Sequence, residues 1–291
     1  MLLSAIRTRI PFVLEEWVGR TQRTLDWATP SRVAAWHATL DHAVDPPSDG
    51  APAPLGFHWT LAPTIARESE LGPDGHARRG TFLPPIELPR RLWAGSRVTF
   101  HRPLLVGERV ERVSEIASIE EKAGKQSPLV FVTVRHRLTG ENGGGLAIEE
   151  EQDLVYRAAS GPGPSREQRS DEARTAVWQR TIRPTETLLF RYSALTFNTH
   201  RIHYDRRYAT EVEGYSGLVV HGPLIATLLL ELMQTQIRPE RIERFQFRAM
   251  RPTFDTSVFS VCGAPDAEGH VRLWSTDNEG VRAVDAEGWF R

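Results

Sequence analysis

The longest apolar stretch of the chain carries its clearest structural signal. This stretch is Leu218–Met233, and the overlapping residues 223–236 (PLIATLLLELMQTQ) place apolar side chains around most of the circumference of a helix. A helix that is apolar on nearly all sides has to be surrounded by other elements rather than laid on a surface. Because the stretch is interrupted by polar residues and is too short for a bilayer, it predicts a core helix.

The pattern of the first half predicts a helix followed by a sheet. Residues 11–42 have helical spacing, and Ser31 is a candidate N-cap for the segment RVAAWHATLDH. Residues 129–138 (LVFVTVRHRL) are rich in branched and aromatic side chains and partly alternate, as a half-buried strand does. The other strand candidates are Phe57–Leu61, Arg97–His101, Arg109–Ile119 and Leu146–Arg157.

The second half repeats this order. A strand is predicted over Val177–Ile182, a short helix over residues 188–197, and then the core helix. Turns with glycine or aspartate separate the strand candidates that follow. These candidates are residues 242–254, 257–264, 270–277 and 281–290.

Residues 158–175 combine glycine, proline, serine and charge without apolar periodicity, which is typical of a linker. They separate a unit of residues 1–157 from a unit of residues 176–291. We therefore predict an α+β fold of two repeats, each a long buried helix wrapped by a curled antiparallel sheet. Neither a GxGxxG nor a GxxxxGK[ST] motif is present, so a dinucleotide or P-loop domain is not supported.

Composition narrows the class of protein. The formal net charge is -1 and the charged residues are interspersed, which disfavours nucleic-acid binding and gives no reason to expect a membrane surface. Cys262 is the only cysteine, so the chain has no internal disulfide and no thiolate cluster for a metal. It lies in a predicted strand, where cysteine is usually a small buried hydrophobe. These features fit the reducing cytoplasm.

Candidate chemistry concentrates in residues 188–224. Asn198 and His203 lie in one short segment, and His221-Gly222-Pro223 opens the core helix. An amide, an imidazole and a backbone N–H at a helix start can together orient a water, move its proton and hold a developing oxyanion. This combination indicates adding or removing water next to a thioester carbonyl.

The segments FNTHRIHYD and EGYSGLVVHGPL resemble the MaoC-like hydratases and dehydratases of the hot-dog fold. Within that family they are most similar to the branch with mesaconyl-CoA hydratase, itaconyl-CoA hydratase and the mitochondrial type 2 3-hydroxyacyl-thioester dehydratase. Residues 72–110 resemble the degenerate first repeat of such double hot-dog enzymes. The resemblance implies an acyl-thioester substrate, here expected to be an acyl-CoA, a pantetheine tunnel between the repeats, and no metal or redox cofactor.

The resemblance also assigns roles to residues, with one departure. The broader motif has an aspartate five positions before its catalytic histidine, and here those positions are Asn198 and His203. An amide cannot accept a proton at neutral pH, so His203 is the sole predicted acid and base, and Asn198 aims the water. Gly222 corresponds to the glycine whose N–H faces the thioester oxygen, a place where an unpaired helical N–H favours negative charge.

Several neighbouring side chains have open roles. Arg191 and Arg201 are candidates to bind a substrate carboxylate, or are surface ion-pairing residues. His221 either lines the site or bonds locally, Tyr192 is placed with the substrate-binding group, and His200 is assigned to support. Asp205 is a predicted helix cap. Asp74 and His76 are candidates for the tunnel mouth, or residues that serve turn geometry alone.

Three functions remain open on these grounds. The first is a hydro-lyase acting on a short, branched or dicarboxylic enoyl-CoA. The second is a 3-hydroxyacyl-thioester dehydratase of fatty acid synthesis working on carrier protein, and the third is a non-catalytic acyl-thioester binding protein. A homodimer is expected, although two fused repeats can also mimic the usual hot-dog dimer in one chain.

Overall fold

The computed structural model describes residues 12–43, 45, 47–123, 128–142, 144–158 and 174–291. The α-helices are α1 (Phe12–Glu15), α2 (Pro30–Thr39), α3 (Glu186–Thr196) and α4 (Gly222–Gln234). Four 3₁₀ turns (Phe57–Thr60, Glu68–Glu70, Arg201–His203, Pro239–Arg241) and a π-helical turn (Tyr208–Val212) complete the helical elements of the described residues. The linker predicted over residues 158–175 lies almost wholly outside the described residues and stays a prediction.

Ten strands form one antiparallel sheet in the described part of the chain. Those of the first half are β1 (Thr21–Trp27), β2 (Arg90–Phe100), β3 (Arg109–Ala123), β4 (Pro128–Gly140) and β5 (Leu146–Arg157). Those of the second half are β6 (Trp178–Ile182), β7 (Ile242–Ala249), β8 (Phe259–Ala267), β9 (His270–Thr276) and β10 (Arg282–Phe290). The spatial order is β1-β3-β4-β5-β2-β7-β10-β9-β8-β6.

This order is the same pattern written twice. Numbered within its own half, each set of five strands runs first, third, fourth, fifth, second, counted from the outer edge inward. The two second strands, β2 and β7, pair antiparallel and join the halves into one sheet. The predicted α+β double hot-dog architecture is confirmed.

The helices of the two repeats differ in burial. Eleven consecutive residues of α4, from Pro223 to Met233, are buried, and the helix packs on strands of its own half and on β2. In contrast, α2 buries only Val33, Trp36 and Thr39 and packs against α3. The first-repeat helix is therefore shorter and less enclosed than predicted, and the inner face of β2–β5 is left to line a cleft.

Three local predictions in the first repeat were wrong. Residues 11–42 were predicted to be helical, but they include strand β1, which is largely exposed and so shows no regular alternation of polar and apolar residues. Helix α2 is capped by the Thr29 side chain rather than by Ser31. The Phe57–Leu61 strand is instead a 3₁₀ turn that begins after Gly56 in the left-handed region. Short apolar runs do not distinguish these alternatives by periodicity alone.

The remaining predicted elements are present, with shifted ends. Strand β2 begins at Arg90 rather than Arg97, and α3 begins at Glu186 after Thr185, whose hydroxyl accepts the Leu188 N–H. Cys262 is buried in β8, as expected of a small hydrophobe. None of the helices in the described residues has the length and apolar character needed to cross a membrane.

Candidate active site

A cleft of about 1040 Å³ lies between the two repeats. One wall is the inner face of β2–β5, and the opposite wall is the segment from Asn198 to His203 together with the start of α4. Three residues predicted to be catalytic, Asn198, His203 and Gly222, all line this cleft. The fold thus brings together groups that are 24 positions apart in the sequence.

His203 is held in one tautomer. Its Nδ1–H donates to the Val219 carbonyl oxygen at 2.7 Å, which leaves Nε2 as the ring nitrogen available to the cleft. The ring stacks on His221 with centroids 3.7 Å apart. Burial lowers the pKa of His203 to about 4, so the imidazole is uncharged at neutral pH. An uncharged Nε2 with a free lone pair can take a proton from water.

Asn198 is oriented by the backbone of its own loop. It follows Phe197, the C-cap of α3, which adopts a left-handed conformation and turns the chain sharply toward the cleft. The Asn198 Oδ1 accepts the His200 N–H at 3.0 Å. Since only the carboxamide oxygen can accept that bond, the Nδ2 group is the part left to donate into the cleft, toward a water or hydroxyl oxygen.

Gly222 is the first residue of α4, one position earlier than the sequence predicted. The N-cap residue is His221, and its side chain makes no capping bond to the helix. The N–H groups of the first turn have no intrahelical partner, and the positive end of the helix dipole lies there. This end of α4 therefore offers a donor to a carbonyl oxygen in the cleft.

His221 supports His203 from behind rather than facing the cleft. It is fully buried, and its Nε2 pairs with the Ser193 hydroxyl at 2.8 Å. Tyr192 is also fully buried, and its hydroxyl lies 3.4 Å from that of Thr227. Tyr192 and His221 are absent from the residues that line the cleft, so the substrate-binding role assigned to Tyr192 is corrected to a packing role.

A loop of the first repeat, Gly72–His76, is docked onto the segment that carries Asn198 and His203. The Thr199 hydroxyl donates to the Gly75 carbonyl oxygen at 2.5 Å, and the Arg201 N–H donates to the Asp74 carbonyl oxygen at 2.9 Å. His76 Nδ1 lies 3.0 Å from Asp74 Oδ2, and the His76 ring contacts that of His200, with centroids 4.2 Å apart and planes tilted by 40°. His76 and His200 line the cleft, whereas Asp74 holds His76 from outside it.

Asp74, His76 and His200 also bring potential metal-ligating atoms within 4.8 Å of one another. However, the Asp74 carboxylate is already engaged by both the ring and the backbone N–H of His76. The hydrogen bonds of the cluster are accounted for as a support of the segment that carries Asn198 and His203.

The docked loop gives a direct test of the contact between the repeats. Gly75 has φ +87°, and a Cβ placed there would overlap the Thr199 carbonyl oxygen. We expect Gly75→Ala to lower kcat at least about 10-fold, because displacing catalytic groups by about 1 Å is costly. The matched control is Gly80→Ala, which has φ +93° but meets nothing closer than 3.8 Å. Equal kcat values in the two variants would show that the docked loop does not position the site.

The two arginines predicted to bind a substrate carboxylate are engaged elsewhere. Arg191 lies outside the cleft, and its guanidinium donates to the Ala38 carbonyl oxygen. Arg201 pairs with Asp205 through two nitrogens and donates to the Pro73 carbonyl oxygen through the third. Asp205 caps the next helical turn by accepting the Tyr208 N–H, as predicted. The carboxylate-binding assignment of Arg191 and Arg201 is therefore corrected.

Sequence reasoning missed a row of polar side chains on the inner face of the first-repeat sheet. The His136 ring lies 2.8 Å from the Ser114 hydroxyl and 3.2 Å from Gln152 Oε1. Burial opposes the ionisation of Glu150, but His58 beside it, with Nε2 3.6 Å away, holds the pKa of Glu150 at about 2. The alternation of β4 and β5 contained part of this signal, since His136 and Glu150 are buried and Gln152 lies two positions from Glu150, on the same face of its strand.

The comparison with family models identifies the class. The model described as hydroxyacyl-thioester dehydratase type 2 matches residues 56–255. The chain is 42% identical over 271 residues to a mesaconyl-C(4)-CoA hydratase of Chloroflexus aurantiacus, covering 93% of this chain and 95% of that protein. It is 29% identical over 247 residues to the mitochondrial hydroxyacyl-thioester dehydratase type 2 of Schizosaccharomyces pombe, covering 76% and 81% of the two chains.

Solved structures agree on the fold. A MaoC-like dehydratase superposes with a TM-score of 0.72 at 16% identity, covering 96% of this chain and 99% of that one. A Mycobacterium tuberculosis protein with a double hot-dog fold gives a TM-score of 0.53 at 13% identity, covering 93% and 95%. The chain belongs to the hydroxyacyl-thioester dehydratase type 2 family. It is an enzyme of the hydratase and dehydratase class.

Proposed function

We propose that the protein catalyses the reversible hydration of a short, branched or dicarboxylic 2-enoyl-CoA, of the mesaconyl or itaconyl type, to the hydroxyacyl-CoA. The observation that carries this proposal is the pairing of an uncharged His203, with Nε2 toward the cleft, and an uncapped helix start at Gly222. The 42% identity to a mesaconyl-C(4)-CoA hydratase over nearly the whole of both chains supports the choice of acyl group.

In the proposed reaction, the thioester oxygen accepts the Gly222 N–H. His203 Nε2 takes a proton from water as the water oxygen bonds to the β-carbon, and the electrons of the double bond move onto the thioester as an enolate. The imidazolium then returns its proton to the α-carbon, which regenerates the carbonyl. The enolate charge is largest between these two steps, where the N–H and the dipole of α4 stabilise it most.

The roles of Asn198 and His203 are unequal in this scheme. Asn198 Nδ2 donates to the water oxygen and keeps a lone pair directed at the β-carbon, but it moves no proton. A single imidazole can serve both steps, because the proton it removes from water is the one it delivers to carbon. The dehydration direction uses the same groups in reverse order.

The polarity of the cleft favours a short polar acyl group. Buried Glu150 and His136 and the partly buried Gln152 line the cleft, where a long alkyl chain would have to lie. Contact of an alkyl chain with a charged carboxylate and its partners would leave polar groups without hydrogen bonds, which is unfavourable. Fatty acid synthesis on carrier protein, suggested by the 29% relative, is thus the second candidate.

Hydration rates on a panel of thioesters test the proposal. We expect kcat/KM for mesaconyl-C(4)-CoA or itaconyl-CoA to exceed that for crotonyl-CoA and for a 2-decenoyl thioester by at least about 10-fold, since a polar pocket discriminates strongly against ligands that leave it unpaired. A preference for the decenoyl thioester would favour the second candidate. Hydration of none of them would contradict the proposed activity.

A further inference from the structure

Arg91 is a cleft residue that the scheme above leaves without a role. It lies on β2 opposite Tyr156 of β5 and lines the cleft, as does Trp93 two positions later on the strand. Tyr156 is fully buried on the inner face of the sheet, and paired residues of antiparallel strands point to the same face. The Arg91 side chain is therefore directed toward the interior between the repeats.

The charge of Arg91 has no direct counter-ion in the described part of the chain. Its immediate neighbour on the strand, Arg90, pairs with Glu213 at 2.9 Å, and Arg78 at the cleft donates to the Leu71 carbonyl oxygen. The charge of Arg91 contributes to lowering the pKa of Asp74, but the Asp74 carboxylate is hydrogen-bonded to His76 Nδ1 at 3.0 Å. A guanidinium facing a cleft without a paired carboxylate is suited to bind an anionic group of the ligand, often through two parallel hydrogen bonds.

The surroundings of Arg91 favour an anion over a metal ion. Burial lowers the pKa of His76, and the positive charge of Arg91 lowers it further. The pKa of His200 is also lowered, first by burial and then by the charges around it, which include Arg91. A cation placed among Asp74, His76 and His200 would be repelled by that guanidinium, whereas a carboxylate in the adjacent cleft would be attracted.

The position along β2 fits the length of a short dicarboxylic acyl group. A Cβ built on Gly222 would have the Trp93 carbonyl oxygen as its nearest neighbour, at 3.9 Å. Residues two positions apart on a strand are separated by about 7 Å. The two carboxyl carbons of a four-carbon diacid are about 4 Å apart, and a hydrogen bond adds about 3 Å. A four-carbon diacid is therefore long enough to place its thioester oxygen at the Gly222 N–H and its second carboxylate at Arg91.

The opposite direction along the cleft is unsuited to a carboxylate. Glu150 is ionised there, with His58 and the Trp59 indole N–H as its partners. The charge of nearby Arg112 is offset by that of Glu150. The Arg112 Nη1 donates to the Leu61 carbonyl oxygen. That end therefore has no surplus positive charge, in contrast to the end at Arg91.

We propose that Arg91 binds the second carboxylate of the acyl group and thereby selects dicarboxylic enoyl-CoA substrates. This inference rests on the proposed function and specifies the residue that would recognise its substrate. It also places that residue on the first repeat. The first repeat would then select the acyl group, and the second repeat would catalyse its hydration.

The test compares a carboxylated and an uncarboxylated substrate in the full-length enzyme. We expect Arg91→Gln to lower kcat/KM for mesaconyl-C(4)-CoA about 100-fold or more, because two charge-assisted hydrogen bonds are lost. Activity on crotonyl-CoA should change less than about 3-fold, since that substrate has no carboxylate to lose and the same CoA. Arg91→Lys, which keeps the charge but not the planar fork, should fall between. Arg97→Gln, on the outer face of the same strand and paired with Asp153, is the matched control.

The outcomes separate this inference from the proposed function. Equal losses on both substrates would mean that Arg91 binds CoA phosphate or supports the fold, and would overturn the inference. An unchanged rate on mesaconyl-C(4)-CoA would overturn it as well. A wild-type enzyme that hydrates crotonyl-CoA but neither dicarboxylic substrate would instead contradict the proposed function itself.

Discussion

Replacing His203 with alanine should lower kcat for hydration by about 10³-fold while changing KM only a few-fold, because general acid and base catalysis typically contributes about 10²- to 10⁴-fold. In the described part of the chain, His203 and His76 both line the cleft with one ring nitrogen hydrogen-bonded and the other free. His203 is the one that is bonded to the segment leading into α4, through the Val219 carbonyl oxygen. Asn198 cannot take over the proton, and His221 is buried behind the ring with Nε2 on Ser193. Steady-state kinetics on the best substrate of the panel provides the measurement.

The control is His270→Gln, since His270 lies on β9 and pairs with Asp266 rather than facing the cleft. That variant should retain the wild-type rate. The pH profile gives an independent readout. Because burial holds the pKa of His203 at about 4, the base form persists far below neutrality, and kcat/KM should stay flat from pH 8 to about pH 5 and decline only as the pH falls toward 4. A midpoint near 6.5, or full activity of His203→Ala, would contradict the assignment.

Adding a methyl group at Gly222 should lower kcat/KM by about 10²-fold, the scale on which oxyanion donors contribute in other enzymes. The nearest atom to a Cβ at this position is the Trp93 carbonyl oxygen at 3.9 Å, so Gly222→Ala does not clash with the protein. Gly222 does not adopt a positive φ, so alanine fits its backbone conformation. Alanine also has a higher helix propensity than glycine. The methyl group would instead occupy the space in front of the N–H, where the thioester oxygen is proposed to lie.

Thermal unfolding distinguishes this effect from a folding defect. The melting temperature of Gly222→Ala should equal or exceed that of the wild type, since the gain in helix propensity opposes any loss. A loss of activity together with a lower melting temperature would point to distortion of α4. Wild-type kcat/KM in a stable variant would show that the carbonyl does not approach this helix start.

The sequence predicted the second repeat better than the first, for physical reasons visible in particular elements. Helix α4 is buried on all sides, and its apolar pattern has a single explanation. In the first repeat, α2 is half-exposed and β1 lies at the edge of the sheet, so polar and apolar positions mix in both. Their boundaries could not be derived from periodicity.

The candidate site divides in the same way. Asn198, His203 and Gly222 could be placed together from the sequence because short motifs with specific spacing contain them. All three line the cleft, and their catalytic roles stay a prediction. Arg91 was missed because β2 opens with two arginines and carries a bulge between Trp93 and Gly95, so its alternation does not resemble a strand. The wrong choice of Arg191 and Arg201 followed from proximity in sequence to the catalytic residues. Their contacts with Ala38 and Asp205 arise only from the tertiary fold.

The repeated strand order has a consequence for ligand stoichiometry. Two identical hot-dog subunits related by a two-fold axis would necessarily possess two equivalent sites. Here only the second repeat carries the pair Asn198 and His203, and the corresponding space of the first repeat is open to the cleft. On the proposed assignment, each chain has one site for one acyl group in the part that the structure describes, and cooperativity between sites would require a second chain. On this assignment the first repeat contributes no catalytic residue, and its sequence is constrained only by folding and by binding the substrate.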